Sequence, residues 1–210
     1  MSNEAFWIPV VGESWYKALP GLWDSEYMDI LMSHIQKTYS NATVYPDMSD
    51  IFRAFKLTPL DKVKVVILGA EPHSDGSATG LAYSISDTTY MVPDVLKRIY
   101  KDIEASCYGG FLIDFDYTLE SWAKQGVLLL NTSLTVEKFK VNNHFEMWKK
   151  FTQTIILGVC LYRNDIHFCL WDENAQSYKK FIDDRAHFIH TESNVTFADI
   201  NKKLKKKIVW

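Results

Sequence analysis

At about 150 residues per typical domain, a chain of 210 residues is expected to form a single domain, 1–210, and a disulfide-stapled miniprotein is excluded. Hydrophobic residues make up 47% and charged residues 23%, so neither a disordered tail nor a coiled coil dominates. The net charge of −3 argues against a general nucleic-acid binder, yet five of the six residues from Lys202 to Lys207 are lysine, which leaves the rest of the chain more acidic still. That run reads equally as a solvated last helical turn and as a handle for phosphates.

In chain order, the first twelve residues have neither a basic start nor a long apolar run, and no later run approaches the ~20 residues of a membrane span. Helices are expected around Ser25–Tyr39 and Met48–Phe55. Four short apolar runs come next, Val63–Leu68, Val127–Leu130, Ile166–Trp171 and Ala186–Ile189, each too short for a globular helix and suited to strands buried on both faces. Between them lie stretches with helical spacing: Val95, Ile99 and Ile103; Leu119 and Trp122; Trp148, Phe151, Ile155 and Leu157; and Ala175–Ile182. This alternation predicts an α/β fold with a central four-stranded, largely parallel sheet flanked by helices on both faces. Cys107, Cys160 and Cys169 are odd in number and lack C-x-x-C spacing, which predicts reduced thiols in an intracellular, reducing compartment, cytoplasm or nucleus.

In such a sheet the ligand lies beyond the carboxyl ends of the strands. Those exits carry Gly69-Ala70-Glu71-Pro72-His73, Asn131-Thr132-Ser133, Asp172-Glu173-Asn174 and His190-Thr191-Glu192-Ser193. A carboxylate, a carboxamide and an imidazole converging on one crevice suit hydrolysis with charge stabilisation, the amide reading the edge of a small planar ligand. The six histidines form no H-E-x-x-H or similar spacing, and no metal or other cofactor is expected.

At these exits the sequence resembles the family 1 uracil-DNA glycosylases. Val63 to Ser84, V-K-V-V-I-L-G-A-E-P-H-S-D-G-S-A-T-G-L-A-Y-S, is similar to that family's V-x-V-V-I-L-G-Q-D-P-Y-H followed by A-H-G-L-A-F-S. Gln125 to Val136 matches Q-G-V-L-L-L-N-x-x-L-T-V, and Val44-Tyr45-Pro46, Ile51 to Phe55, Trp148 to Thr152 and Leu170 to Gln176 match further blocks in order. The resemblance implies hydrolysis of the N-glycosidic bond of uracil, or a related pyrimidine, flipped out of DNA. It implies Glu71 and His190 as catalytic residues, Glu71 on the attacking water and His190 on uracil O2, with Ala70, His73, Tyr83 and Asn131 binding the base.

Departures from the family pattern bear on every part of the site. Glu71 stands for an Asp, and Tyr83 for a Phe. The loop after Pro72 is one residue shorter, so His73 either replaces the Tyr that excludes thymine or that Tyr is absent. At the positions implied to hold DNA, Pro93 is followed by Asp94, Asp172 replaces a Gly, and Ser193 and Asn194 lie where the family has a Ser and the wedging Leu. With Asp94, Asp172 and Glu192 facing phosphates, the expected partner is single-stranded DNA or weakly bound duplex, the protein a monomer without membrane contact. The alternative is a catalytically weak or inactive protein of this fold, acting as a binding subunit or inhibitor decoy, with a glycosylase inhibitor or replication factor as protein partner.

Overall fold

The computed structural model describes residues 3–86, 91–111, 114–191 and 196–210. The N-terminal third holds α1 (Glu4–Val11), α2 (Glu13–Ala18), α3 (Pro20–Trp23), α4 (Glu26–Asn41), β1 (Val44–Tyr45) and α5 (Arg53–Leu57). The middle of the chain holds β2 (Val65–Gly69), α6 (Asp94–Tyr108), α7 (Glu120–Lys124), β3 (Val127–Asn131), β4 (Val136–Glu137) and α8 (Phe145–Tyr162). The last part holds β5 (His167–Leu170), α9 (Glu173–Gln176), β6 (Phe188–His190) and α10 (Phe197–Lys203).

The four-stranded sheet runs β3-β2-β5-β6, every pair parallel, and β1 pairs with β4 in a separate antiparallel ribbon. Every residue of β2, β3 and β5 is buried, so side chains alternating to both faces meet helices on both, as the apolar runs predict. Local chemistry sets the helix ends. Ser25 caps α4 by accepting from Met28 N, Thr196 and Asp199 form a capping box on α10, and α6 ends at Gly109 in the left-handed conformation.

Three expectations are corrected. The stretch 175–182 is not one helix: α9 stops at Gln176, and a 3-10 turn, Lys179–Phe181, comes after it because buried Tyr178 turns inward to donate to Lys149 O at 3.4 Å. The stretch 48–55 likewise divides into a 3-10 turn, Met48–Asp50, and α5. The helices α1 to α3 have no counterpart among the expected elements, since Gly12 and Pro20 divide the run into pieces too short to show a period, and α1 carries Pro9 within it.

Those short helices are held by aromatic packing. Trp7, Trp15 and Trp23 interlock with Phe52, Phe55, Trp148 and Phe151, ring centroids 5.1 to 6.2 Å apart and mostly edge to face. Their indoles are satisfied as well: Trp15 Nε1 donates to Thr58 O at 2.8 Å and Trp23 Nε1 to Trp15 O at 2.9 Å.

Candidate active site

The carboxyl ends of β2, β3 and β5 open into a crevice of about 800 Å³, within the size range of small-molecule sites. The loops leaving the two central strands are tied together. Thr132 N donates to Gly69 O at 2.7 Å, Ser133 N to Ala70 O at 3.0 Å, and Thr132 Oγ1 to the same Ala70 O at 2.6 Å. Glu71 and Asn131 therefore stand on strand ends whose separation is set by the parallel register Gly69↔Asn131.

Asn131 is 6% exposed, and its Oδ1 is buried with no hydrogen-bond partner. A buried amide oxygen left unpaired costs about 1–3 kcal/mol unless a ligand completes it, so it marks a place for a donor. Tyr83 adjoins it. A Cβ added at Gly69 would come within 2.6 Å of Asn131 Oδ1 and 3.3 Å of Tyr83 Cε2, so only glycine lets the amide and the ring approach this closely. Tyr83 itself has a φ of 64°, a strained conformation for a tyrosine, held by Ala82 N donating to Leu129 O at 3.0 Å. Its ring lies 5.8 Å from that of Trp171, also on the crevice wall.

Glu71 is half buried on the same wall. Asn142 N donates to its Oε2 at 2.8 Å, and Asn142 Oδ1 in turn accepts from Asn174 Nδ2, while the other Glu71 oxygen has no partner among the described residues. Burial raises its pKa above the ordinary carboxylate value, partly offset by the Asn142 bond. His73 reaches the crevice with a buried, unpartnered Nε2. Ala70 lines it beside Glu71.

His190 is placed differently. It is buried at the end of β6 with its Nε2 3.0 Å from His167 Nδ1, the two rings nearly parallel, and it is Thr191, not His190, that lines the crevice. Burial, with Lys203 nearby, lowers the His190 pKa, which keeps the imidazole neutral at pH 7.

The acidic departures also have local explanations. Asp94 is exposed and paired with Lys97 at 3.0 Å. Asp172 caps α9 by accepting from Ala175 N at 2.8 Å and accepts from Tyr83 Oη at 3.3 Å, so it braces the ring. Pro93 caps the start of α6 and is not part of the crevice wall. Glu192, Ser193 and Asn194 lie outside the described residues. Sequence reasoning missed Arg98 and Asp102, which line the crevice from α6 beside Val95 and Ile99. The signal was present: they stand three and seven positions after Val95, on the stripe marked by the apolar spacing.

An aromatic face, a carboxamide edge and a carboxylate at the carboxyl ends of a parallel sheet have the chemistry to hold a small planar polar ring. The chain belongs to the uracil-DNA glycosylase superfamily, whose profile matches residues 55–206. Relatives named uracil-DNA glycosylase include one from Fusobacterium nucleatum, 39% identical over 85% of this chain and 79% of its own, and one from Neisseria meningitidis serogroup C, 39% identical over 85% and 82%. Among solved structures, the mimivirus uracil-DNA glycosylase is alike in fold, with a TM-score of 0.84 over 100% of this chain and 93% of its own at 21% identity. A mimivirus UNG Y322F variant in complex with UGI is similar, with a TM-score of 0.84 at 22% identity over 94% of this chain and 87% of its own.

Proposed function

We infer that this protein is a uracil-DNA glycosylase of base excision repair, a hydrolase that cleaves the N-glycosidic bond between uracil and deoxyribose in DNA. The observation that carries the reading is the buried, unpaired Oδ1 of Asn131 beside the Tyr83 ring, in a chain of this family. The base, flipped from the stack, lies against Tyr83 while the Asn131 amide accepts from N3–H and donates to O4. Glu71, through its free oxygen, orients the water that adds to C1′ and takes up the proton it sheds, as the C1′–N1 bond breaks and the electron pair leaves with the base. His190 stabilises the negative charge on O2 as a neutral donor, after turning from His167 toward Thr191. His73 forms the wall facing C5. No observation favours the non-catalytic alternative.

Single-stranded DNA is the preferred substrate on this reading, since extruding a base costs least where no partner strand is displaced. Support comes from the crevice wall, where Glu71, Asp102 and Asp172 outnumber Arg98 and oppose the phosphates of a rigid duplex. A protein partner of the inhibitor kind is part of this proposal, by analogy with the mimivirus UNG variant solved in complex with UGI.

The test is release of free uracil from a single-stranded oligonucleotide, compared among the unmodified protein, Asn131→Asp and Glu71→Gln. The expected result is a loss of about a hundredfold or more for Asn131→Asp, because the carboxylate has no donor for O4 and repels the departing base. Glu71→Gln should lose at least about tenfold, with binding of the strand little changed. Uracil release by Asn131→Asp at the unmodified rate would refute the assignment of the pocket.

A further inference from the structure

A second concavity, of about 400 Å³, lies at the opposite, amino-terminal end of the sheet and takes no part in the chemistry above. Its walls carry Lys62, Lys64, Lys124, Arg163, Lys206 and Lys207; Lys62 pairs with Asp61 at 3.1 Å and Lys124 with Glu120 at 2.8 Å, which leaves Lys64, Arg163, Lys206 and Lys207 without an ion pair among the described residues. In a chain of net charge −3 this is a pronounced local excess of cations. The segments that supply them are far apart in sequence: the lead into β2, the end of α7, the turn after α8 and the stretch beyond α10.

The last of these is not a solvated helical turn. The helix α10 ends at Lys203, and the chain beyond it is pinned by two amide clamps: Asn201 exchanges hydrogen bonds with Ile208 N and O, both 2.8 Å, and Gln125 with Val209 N at 2.8 Å and O at 3.0 Å. Buried Ile208 and Trp210 complete the anchoring. Lys206 and Lys207 are thus held in place at the rim, with no ion pair among the described residues, whereas Lys202 pairs with Asp199. Within the basin, Lys64 Nζ donates to Gln125 O at 2.8 Å, and its pKa is lowered by burial and by the charge of Lys206. Arg163 Nη2 donates to Val63 O at 3.1 Å, while its Nε is buried with no partner. Like charges gathered around a buried, unsatisfied guanidinium N–H are what an oxyanion completes.

We propose that this basin is a phosphate-binding site that engages the DNA backbone at a distance from the extruded base. The inference rests on the reading of the protein as a DNA glycosylase, and it accounts for how a protein with an acid-lined crevice holds a polyanion. Neutralising phosphates supplies the sequence-independent part of DNA affinity, and the basin is where the cations are. A five-residue strand at ~3.3 Å per residue separates the two ends of the sheet by about 17 Å, so one nucleotide cannot fill both sites and a longer strand is required. An acidic polypeptide is the competing occupant.

Binding of a uracil-free single strand of about thirty nucleotides, measured against salt, tests the proposal in the unmodified protein and in a Lys206→Gln, Lys207→Gln variant. Both lysines are exposed, so the fold is not at risk. The expected result is about tenfold weaker binding at low salt, with the logarithmic salt slope flattened by about 1.4, at ~0.7 for each lost phosphate contact. Uracil release from a trinucleotide with the uracil in the middle, whose single nucleotide on either side falls short of a basin about 17 Å away, should be unchanged. Unchanged affinity for the long strand would overturn the proposal, as would an equal loss on the short substrate, which would mark a general field effect. Displacement of the strand by polyglutamate at lower charge concentration than by uracil-free DNA would assign the basin to an acidic polypeptide and overturn it too. Inorganic pyrophosphate that binds the basin while long and short strands bind alike would reduce it to a site for free anions. A protein that releases no uracil but still binds long strands in this lysine-dependent way would refute the glycosylase reading and leave the basin standing.

Discussion

Tyr83 and Asp172 differ from the family pattern of Phe and Gly, and the two departures touch. The added hydroxyl donates to the added carboxylate at 3.3 Å, long for an O–H···O bond and so weak by itself, but Asp172 is also fixed by its cap on α9. Tyr83→Phe and Asp172→Gly are therefore expected to be coupled by about 1 kcal/mol in a double-mutant cycle on uracil release, the double variant losing less than the two single losses together. Additive losses would show that the bond does not position the ring. Glu71 carries a prediction on pH. Burial raises its pKa above the ordinary 4.5, so the carboxylate proposed to orient water is lost as pH falls through that raised value. The acid limb of the rate profile is expected above pH 4.5 and should vanish in Glu71→Gln. The sign for stability is opposite to that of a paired carboxylate. A raised folded-state value favours the protonated form, so the contribution is present at low pH and lost as pH rises. Glu71→Gln should consequently be no less stable than the unmodified protein near neutrality, which thermal melting checks.

The stability of β6 depends on protonation. It has three residues, stands at the edge of the sheet beside β5, and leans on the contact between His190 and His167, whose ring also stacks on Phe188 at 4.5 Å. Burial first, then the charges of His190 and Lys203, push the His167 pKa from 6.5 down to about 4, with Asp165 opposing. A depressed histidine is neutral in the fold, so the stability it permits is full above 6.5 and is lost as pH falls toward about 4. His144 and His187 are shifted in the same direction by burial, so His167 is one contributor among several. His167→Phe should make the decline in Tm between pH 6.5 and about 4 shallower. A decline of the same steepness would show that the pair is not protonated on unfolding in that window.

At the scale of the whole molecule, the N-terminal helices depend on the aromatic cluster rather than on their own length, since helices of four to eight residues are marginal alone. Trp23 is fully buried, meets Trp7, Phe52, Phe55 and Phe151, and anchors α2 through its indole bond to Trp15 O. Trp23→Ala should cost about 3–5 kcal/mol of unfolding free energy in urea titration, from lost transfer energy and the cavity left behind. A cost below about 1 kcal/mol would mean that the cluster is not a continuous part of the core. Charge is divided at the same scale, with carboxylates around the crevice and cations around the basin at the other end of the sheet.

The sequence by itself determined the parallel sheet and the chemistry at its exits, because both are written in neighbouring residues. Runs such as Val-Leu-Leu-Leu before Asn131 and Val-Val-Ile-Leu before Gly69 are too short for a globular helix and read as strands buried on both faces, which places the residues next in the chain at each strand's carboxyl end. Resemblance within those blocks then implied the roles of Glu71, Tyr83 and Asn131. Tertiary structure alone decided which distant residues meet: His190 with His167 across 23 positions, Tyr83 with Asp172 across 89, Arg98 on the crevice wall, and four separate segments around the basin. Side-chain direction at a strand end and the closing of one segment on another depend on packing of the whole chain, for which hydrophobic periodicity carries no register. Hence His190, placed at the site by its position at a strand exit, is found bonded to His167, and the lysine run, ambiguous as a string, is found pinned by Asn201 and Gln125 beside Arg163, which a different part of the chain supplies.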